Sequence, residues 1–187
     1  SNIFTFNKKI LSKTIKGLKN GDIVGLPTET VYGVGGNAYS KKAVNKIFKL
    51  KGRPKFNPLI IHYRSLEDAD QDVVMNKYVK QLYKQFCPGP ITFVLKRKRT
   101  SKVNQIACAK LKTIAIRFPK NKIVRTILKR TDFPLAMPSA NRSNNVSPVN
   151  SLDVFDEFNK KLKIIIDGGK CKIGIESAVI DLTSSPK

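Results

Sequence analysis

The 187-residue chain is short of the residue types that most catalytic and metal-binding signatures require. It has one histidine, three cysteines and only 13 acidic residues. Cys87, Cys108 and Cys171 are widely spaced and form no CxxC pair, which excludes a disulfide framework and argues against a zinc site. A lone histidine restricts any serine or cysteine triad to His62, yet no GxSxG elbow surrounds a serine and no cysteine stands in a protease-like context. No apolar run approaches the roughly 18 residues of a membrane span, and no signal-peptide pattern opens the chain. A reducing, cytoplasmic setting and no membrane association are therefore expected. Internal repeats, low-complexity blocks and Pro/Gly-rich linkers are also lacking, so the length fits one domain.

Positive charge is what the chain has in excess. Lys and Arg number 36, giving a formal charge of +23, a field that draws polyanions such as RNA or nucleotides to the surface. Nucleotide bias in a lysine-, isoleucine- and asparagine-rich coding sequence gives the same composition, and both explanations stand. With 41% apolar and 26% charged residues the chain is otherwise ordinary for a folded domain.

Two glycine-rich stretches invite a phosphate-binding reading and fail it. In "DGGKCKIG" (167–174) no glycine stands at the Walker spacing, and Cys171 replaces the Ser or Thr that would ligate magnesium. "YGVGGN" (32–37) is not GxGxxG and lacks an acidic residue about 20 positions on. Elsewhere short apolar runs alternate with helical periodicity. Strands are expected at 22–27, 58–63, 91–95, 113–118, 134–139, 163–167 and 178–182, and helices at 40–51, 72–86, 121–130 and 151–161. Met75, Val79, Leu82 and Phe86 form one apolar stripe, and Ser40 is a plausible N-cap. This pattern predicts a layered α/β domain.

Four polar loops remain: "PTETVYG" (27–33), "KGRPKFNP" (51–58), "PSANRS" (138–143) and "GIESAVID" (174–181). If they gather at one rim of the sheet at strand C-termini, they make a ligand crevice. Lys51 and Arg53, just past a helix end, suit phosphate oxygens, Arg as a bidentate fork and Lys as a point charge. Ser139, Asn141, Thr30 and Ser177 offer small polar groups. Each loop alone reads equally well as turn chemistry, and Lys55 as an exposed charge.

The ordered motifs "LPTETVYGVGGNA", "KGRPKFNPLIIH", "FCPGPITFVL", "IAIRFP", "PLAMPSANRSNNVSP" and "GIESAVIDL" closely resemble the YrdC-like family of threonylcarbamoyl-AMP synthases over about residues 8–183. The resemblance implies a single α/β domain with a twisted, mixed, open sheet flanked by helices and a basic cleft, and a nucleotidyltransferase that joins L-threonine, bicarbonate and ATP into threonylcarbamoyl-AMP and pyrophosphate, with Mg2+, for the N6-threonylcarbamoyladenosine modification of tRNA. It makes Lys51 and Arg53 catalytic. It assigns ATP contacts to Arg53, Asn57, Thr113, Ser139, Asn141 and Ser147. Threonine contacts fall to Thr30, His62, Arg117, the backbone at Met137, and Ser177, with Arg117 a bidentate partner for the carboxylate and His62 a neutral hydrogen-bonder. No metal ligands are indicated. Two departures stand out. Met137 occupies a position that is usually alanine, where a side chain reaching into the pocket would narrow it. An arginine that follows the "ESAVID" strand in the family is not reached before Lys187. "KFNPLIIH" and "FCPGP" are closer to the two-domain members, which implies a catalytic domain of a longer protein. Downstream threonylcarbamoyl-transfer proteins are the implied partners, alongside tRNA or double-stranded RNA. The alternative is a non-catalytic RNA-binding module that uses the same cleft.

Overall fold

The computed structural model describes residues 2–184. The chain runs β1 (Ile3–Thr5), α1 (Lys8–Lys19), β2 (Val24–Leu26), β3 (Gly33–Asn37), α2 (Lys41–Lys51), β4 (Ile60–His62), α3 (Leu66–Asp70), α4 (Lys77–Phe86), β5 (Ile91–Lys96), β6 (Thr113–Arg117), α5 (Lys122–Leu128), β7 (Leu135–Ala136), α6 (Ser151–Phe158), β8 (Ile165–Asp167) and β9 (Ala178–Asp181). One nine-stranded sheet has the order β1-β8-β2-β3-β7-β4-β6-β5-β9. Pairing is mixed: β4 lies parallel to β6, and both β7 and β5 run antiparallel to their neighbours in that centre. The layered α/β sheet flanked by helices agrees with the sequence pattern.

Helix starts are set by short side chains that accept from the orphan N–H groups of the first turn. Asn7 caps α1, Ser40 caps α2 and Asn76 caps α4, while Asn150 and Asp153 form a reciprocal capping box on α6. Gly52 ends α2 at φ 60°, a left-handed conformation that glycine adopts without a Cβ penalty. That turn reverses the chain and returns Arg53 toward the sheet.

Two buried clusters cover the sheet. One joins Val44, Ile47 and Phe48 of α2, Val79 of α4, and Val154 and Phe158 of α6 to Ile61, Phe93, Leu95, Ile114 and Ile116. On the other face, Ile10 and Leu18 of α1 and Val124, Ile127 and Leu128 of α5 pack on Val24, Leu26, Leu135 and Ile166. Side chains alternate along a strand, so Ile60 and His62 of β4, Thr113, Ala115 and Arg117 of β6, and Thr92 and Val94 of β5 point away from the first cluster. None of them belongs to the second, because α1 and α5 reach only the β1-to-β7 half. That part of the face, which Thr30 and Ser177 approach from the 27–33 and 174–177 segments, is the floor of the site.

Several expectations are corrected. The helix expected over 72–86 starts only at Lys77, because Val73 bridges Arg97 and buried Asp72 accepts hydrogen bonds from the Tyr39 and Tyr63 hydroxyls and from Ser101. Its supposed stripe is broken accordingly: Met75 precedes the helix and Phe86 is exposed. Residues 159–161 form a 3-10 turn after α6. β1, α1, β3 and α3 had no sequence expectation. In β3 the glycine-rich run is strand, and a Cβ on Gly33 would lie 2.6 Å from Met137 Cγ. Finally, the four loops do not all leave strand C-termini. Segments 27–33 and 138–143 do, but 51–58 leads into β4 and 174–177 into β9.

Candidate active site

At one end of the cleft floor, α2 places the charges. Lys51 is the last helical residue, not part of the following loop, and is buried. Its ammonium donates to the backbone carbonyls of Ser139, at 2.6 Å, and Asn141, and lies 3.4 Å from Asn141 Oδ1. Lys51 therefore ties α2 to the 138–143 turn. Burial, reinforced by the positive charge of Arg53, lowers its pKa to about 8, against the opposing pull of Glu176 and Glu157. Arg53 donates through Nε to the Asn57 carbonyl at 3.0 Å and through Nη2 to Asn57 Oδ1 and the Pro58 carbonyl, at 2.7 and 2.9 Å. These contacts close the 53–58 loop on itself, with Asn57 and Phe56 outward. The side chain of Asn141 donates to the Arg142 and Asn145 carbonyls and shapes its own turn. Ser139 bridges Gly33. Ser147 donates to Glu176 Oε1 at 3.0 Å. Thr113 opens β6, paired with Lys96.

Four residues further along β6, roughly 13 Å at the usual rise per residue, Arg117 lies beside His62 in the parallel register. Its side chain is 6% exposed. One Nη2 bond reaches Glu29 Oε1 at 2.6 Å and another reaches Thr30 Oγ1 at 2.9 Å, while buried Nε has no partner. Because Nη2 makes both contacts, a fully bidentate grip on a carboxylate, as expected from sequence, would have to share that nitrogen. His62 is buried, and burial followed by the Arg117 charge holds its pKa well below the ordinary imidazole value, so the ring is neutral. Its Nδ1 lies 3.3 Å from the Ile60 carbonyl. A ring protonated at Nδ1 donates there and leaves Nε2 as an acceptor. Ser177 hydrogen-bonds Thr92 across 2.7 Å on the same floor.

Met137 donates its backbone N–H to Ile60. Its side chain is buried in the second cluster, over the space left by Gly33 and Gly35. The glycines of β3 take up the extra length that alanine would not need.

Two acids were missed by the sequence reading. Glu29 binds Arg117, and Glu176 accepts from Ser147 and partly offsets the lowering of the Lys51 and Arg53 pKa values that burial causes. Both lie inside the quoted motifs, next to Thr30 and Ser177, which were singled out instead. Among the described residues no group of three His, Cys, Asp or Glu could hold a metal ion. A magnesium ion that arrives with a triphosphate needs only one or two protein carboxylates, and Glu176 fits that requirement.

The fold and this site define an α/β protein with a buried corner, where an Arg–Glu pair lies beside a neutral histidine, and a basic, more exposed end. A family model described as "Telomere recombination", the Sua5/YciO/YrdC model, matches residues 16–187, and the chain belongs to that family. It is 42% identical over 173 residues to the threonylcarbamoyl-AMP synthase of Pyrococcus abyssi, covering 90% of this chain and 49% of the relative. It is 37% identical to that of Bacillus subtilis, covering 87% and 47%. The chain thus spans about half the length of these curated relatives. The crystal structure of P. abyssi Sua5 complexed with L-threonine superposes with a TM-score of 0.95 at 38% identity, over 100% of this chain and 56% of that one. Escherichia coli YciO, at 22% identity and a TM-score of 0.87 over 99% of this chain and 92% of its own, shares the fold. No helix among the described residues is long and apolar enough to cross a membrane.

Proposed function

We propose that this chain carries the activity of its named relatives and makes threonylcarbamoyl-AMP and pyrophosphate from L-threonine, bicarbonate and ATP. The observation that carries this reading is the pairing of buried Arg117, with an unpartnered Nε, and neutral His62 at one end of a sheet face whose other end holds Arg53 and Lys51. Arg117 would receive the amino-acid carboxylate. His62 Nε2, Thr30 Oγ1 and Ser177 Oγ would receive the hydroxyl and amine.

The threonine amine and bicarbonate give a carbamate and water. A carbamate oxygen then attacks the α-phosphorus, the bond to the β-phosphate oxygen breaks, and pyrophosphate leaves with its electron pair. Such a step needs alignment and charge neutralisation more than a strong base. Arg53 would supply a planar donor pair to phosphate oxygens, Asn57, Thr113, Ser139 and Ser147 would set the nucleotide, and Asn141 would hold the turn that Lys51 anchors. Magnesium would neutralise triphosphate charge, with Glu176 the carboxylate to hold it. The catalytic unit would span residues 8–183 and work in the cytoplasm. Its product would pass to threonylcarbamoyl-transfer proteins acting on tRNA, and the +23 charge would favour contact with that RNA.

The test is pyrophosphate release measured with each substrate omitted in turn. Release that requires both threonine and bicarbonate is expected. Release indifferent to threonine would defeat the reading.

A further inference from the structure

Glu29 has no role in the scheme above, yet it is the best-anchored acid near the cleft. Its side chain is 9% exposed. Oε2 accepts from the backbone N–H groups of Lys120 and Asn121, at 3.0 and 3.2 Å. Its own backbone carbonyl accepts from Ile173 at 3.1 Å, and the next carbonyl, of Thr30, accepts from Gly174. Residues 120–121 therefore fix the carboxylate, and residues 173–174 the backbone that carries it, independently of Arg117. Oε1 then takes one Nη2 contact while Thr30 Oγ1 takes the other. Two fixed acceptors on one nitrogen set the rotation of the guanidinium plane. Only Thr30 would remain without Glu29, and one contact leaves that rotation free.

The charge matters as much as the geometry. An isolated buried guanidinium binds any small anion that reaches it, and a paired one does not. With Glu29 at 2.6 Å, attraction for a bare carboxylate is weakened, and selection passes to the groups that recognise the rest of the amino acid. We propose that Glu29 is a positioning and specificity-determining residue that acts through Arg117: with Thr30 it fixes the plane of the guanidinium, and it cancels enough charge that only a ligand also meeting His62, Thr30 and Ser177 binds well. This rests on the reading of Arg117 as the partner of the threonine carboxylate.

Glu29→Gln keeps the volume but cannot accept at both ends, because its NH2 must face either Arg117 or the Lys120 and Asn121 donors. The measurement is threonine affinity by calorimetry, together with displacement by acetate as a featureless carboxylate, and the KM for ATP. E29Q is expected to reduce the preference for threonine over acetate about tenfold, the size of one charge-assisted hydrogen bond. The KM for ATP should stay within about twofold. In an Arg117→Lys background the same change should alter the preference by no more than about twofold, since its route has been removed. An unchanged preference in folded E29Q, an equal loss on ATP, or a full effect in the R117K background would overturn the proposal. If E29Q unfolds, Glu29→Asp, which keeps the charge but shortens the reach by one methylene, provides the same comparison. A wild type that binds threonine but releases no pyrophosphate would refute the proposed activity while leaving this test readable. One that binds no threonine would end both.

Discussion

At the Arg117 end of the cleft, the side chains of Thr30, His62 and Arg117 are buried and Glu29 nearly so, each held by a protein partner. At the Arg53 end, Phe56 and Val146 are 81% and 92% exposed, Asn57 faces outward, and Arg53 is only half-buried. The first end is finished by the fold, whereas the second is a set of charged and polar groups on turns. Preorganisation of this kind suits a small zwitterion, for which few contacts are available and each must be well placed. An open basic end suits a triphosphate, whose several oxygens find donors over a wide range of geometry. Substitutions should therefore cost both stability and activity at the closed end, and mainly activity at the open one.

The largest loss is expected for Arg117→Ala. It leaves Glu29 a buried carboxylate without its counter-charge, held by the Lys120 and Asn121 amides alone, and breaking a buried pair in this way costs about 3–5 kcal/mol in measured cases. Denaturant unfolding should show that loss, and threonine-dependent pyrophosphate release should vanish. A stable R117A protein would mean that the closed end is more hydrated than its burial indicates.

Lys51 is the buried anchor of the Arg53 end, and Lys51→Ala leaves the carbonyls of Ser139 and Asn141 without their donor. A loss of about 2–3 kcal/mol is expected, the usual cost of orphaning buried acceptors of a charged hydrogen bond. Its pH behaviour is more telling. With the folded value near 8 and the ordinary one at 10.5, the unfolded chain binds more protons between those limits. Stability contributed by this group rises with pH across that window, while activity that depends on its positive charge falls above about pH 8. Opposite slopes in the two measurements would identify Lys51 as a working cation. Parallel slopes would reduce it to a structural tie.

His62 tests the closed end at acid pH. The folded ring stays neutral, so below pH 6.5 only the unfolded chain takes up the proton. Stability from this group is then complete above 6.5 and falls as pH drops, at most by about 1.4 kcal/mol per pH unit. As pH falls below 6.5 the wild type should lose stability that a His62→Gln protein keeps, read as a difference in unfolding midpoints.

The sequence carried the outer shape of this division and not its chemistry. Strands over 91–95 and 113–118 were legible because alternating apolar residues survive where one face is packed and the other lines a cleft. β3 was not, because glycines chosen for clearance from Met137 leave no periodicity to read. The start of the helix assigned to 72–86 was misplaced, to 72 instead of Lys77, because the demand for a buried Asp72 acceptor overrode local pattern. In the site, the cations stand out in any motif, but what they point at does not. Lys51 could be seen as a charge near phosphate, whereas its three oxygens on a turn 88 and 90 residues away depend on β3–β7 pairing that no local signal reports. Glu29 was overlooked for the same reason: its partner is 88 residues distant.

Arg53→Ala should have the smallest effect on stability and thereby test the open end most directly. Its three donors close a surface loop whose acceptors can turn to water, so the net loss should be about 1 kcal/mol. If the guanidinium instead leaves Asn57 to grip a phosphate, the KM for ATP should rise by an order of magnitude or more, since a charge-assisted pair contributes about twice a neutral hydrogen bond. The KM for threonine should not move, because Arg117 and its partners lie at the opposite end of β6. Arg53→Lys separates geometry from charge at the same position. A lysine keeps the field but not the planar fork, so recovery of ATP affinity in R53K would mean that the open end reads phosphate by charge alone. Failure to recover it would mean that even this exposed turn imposes a defined geometry, and the contrast between the two ends would then be one of burial and not of precision.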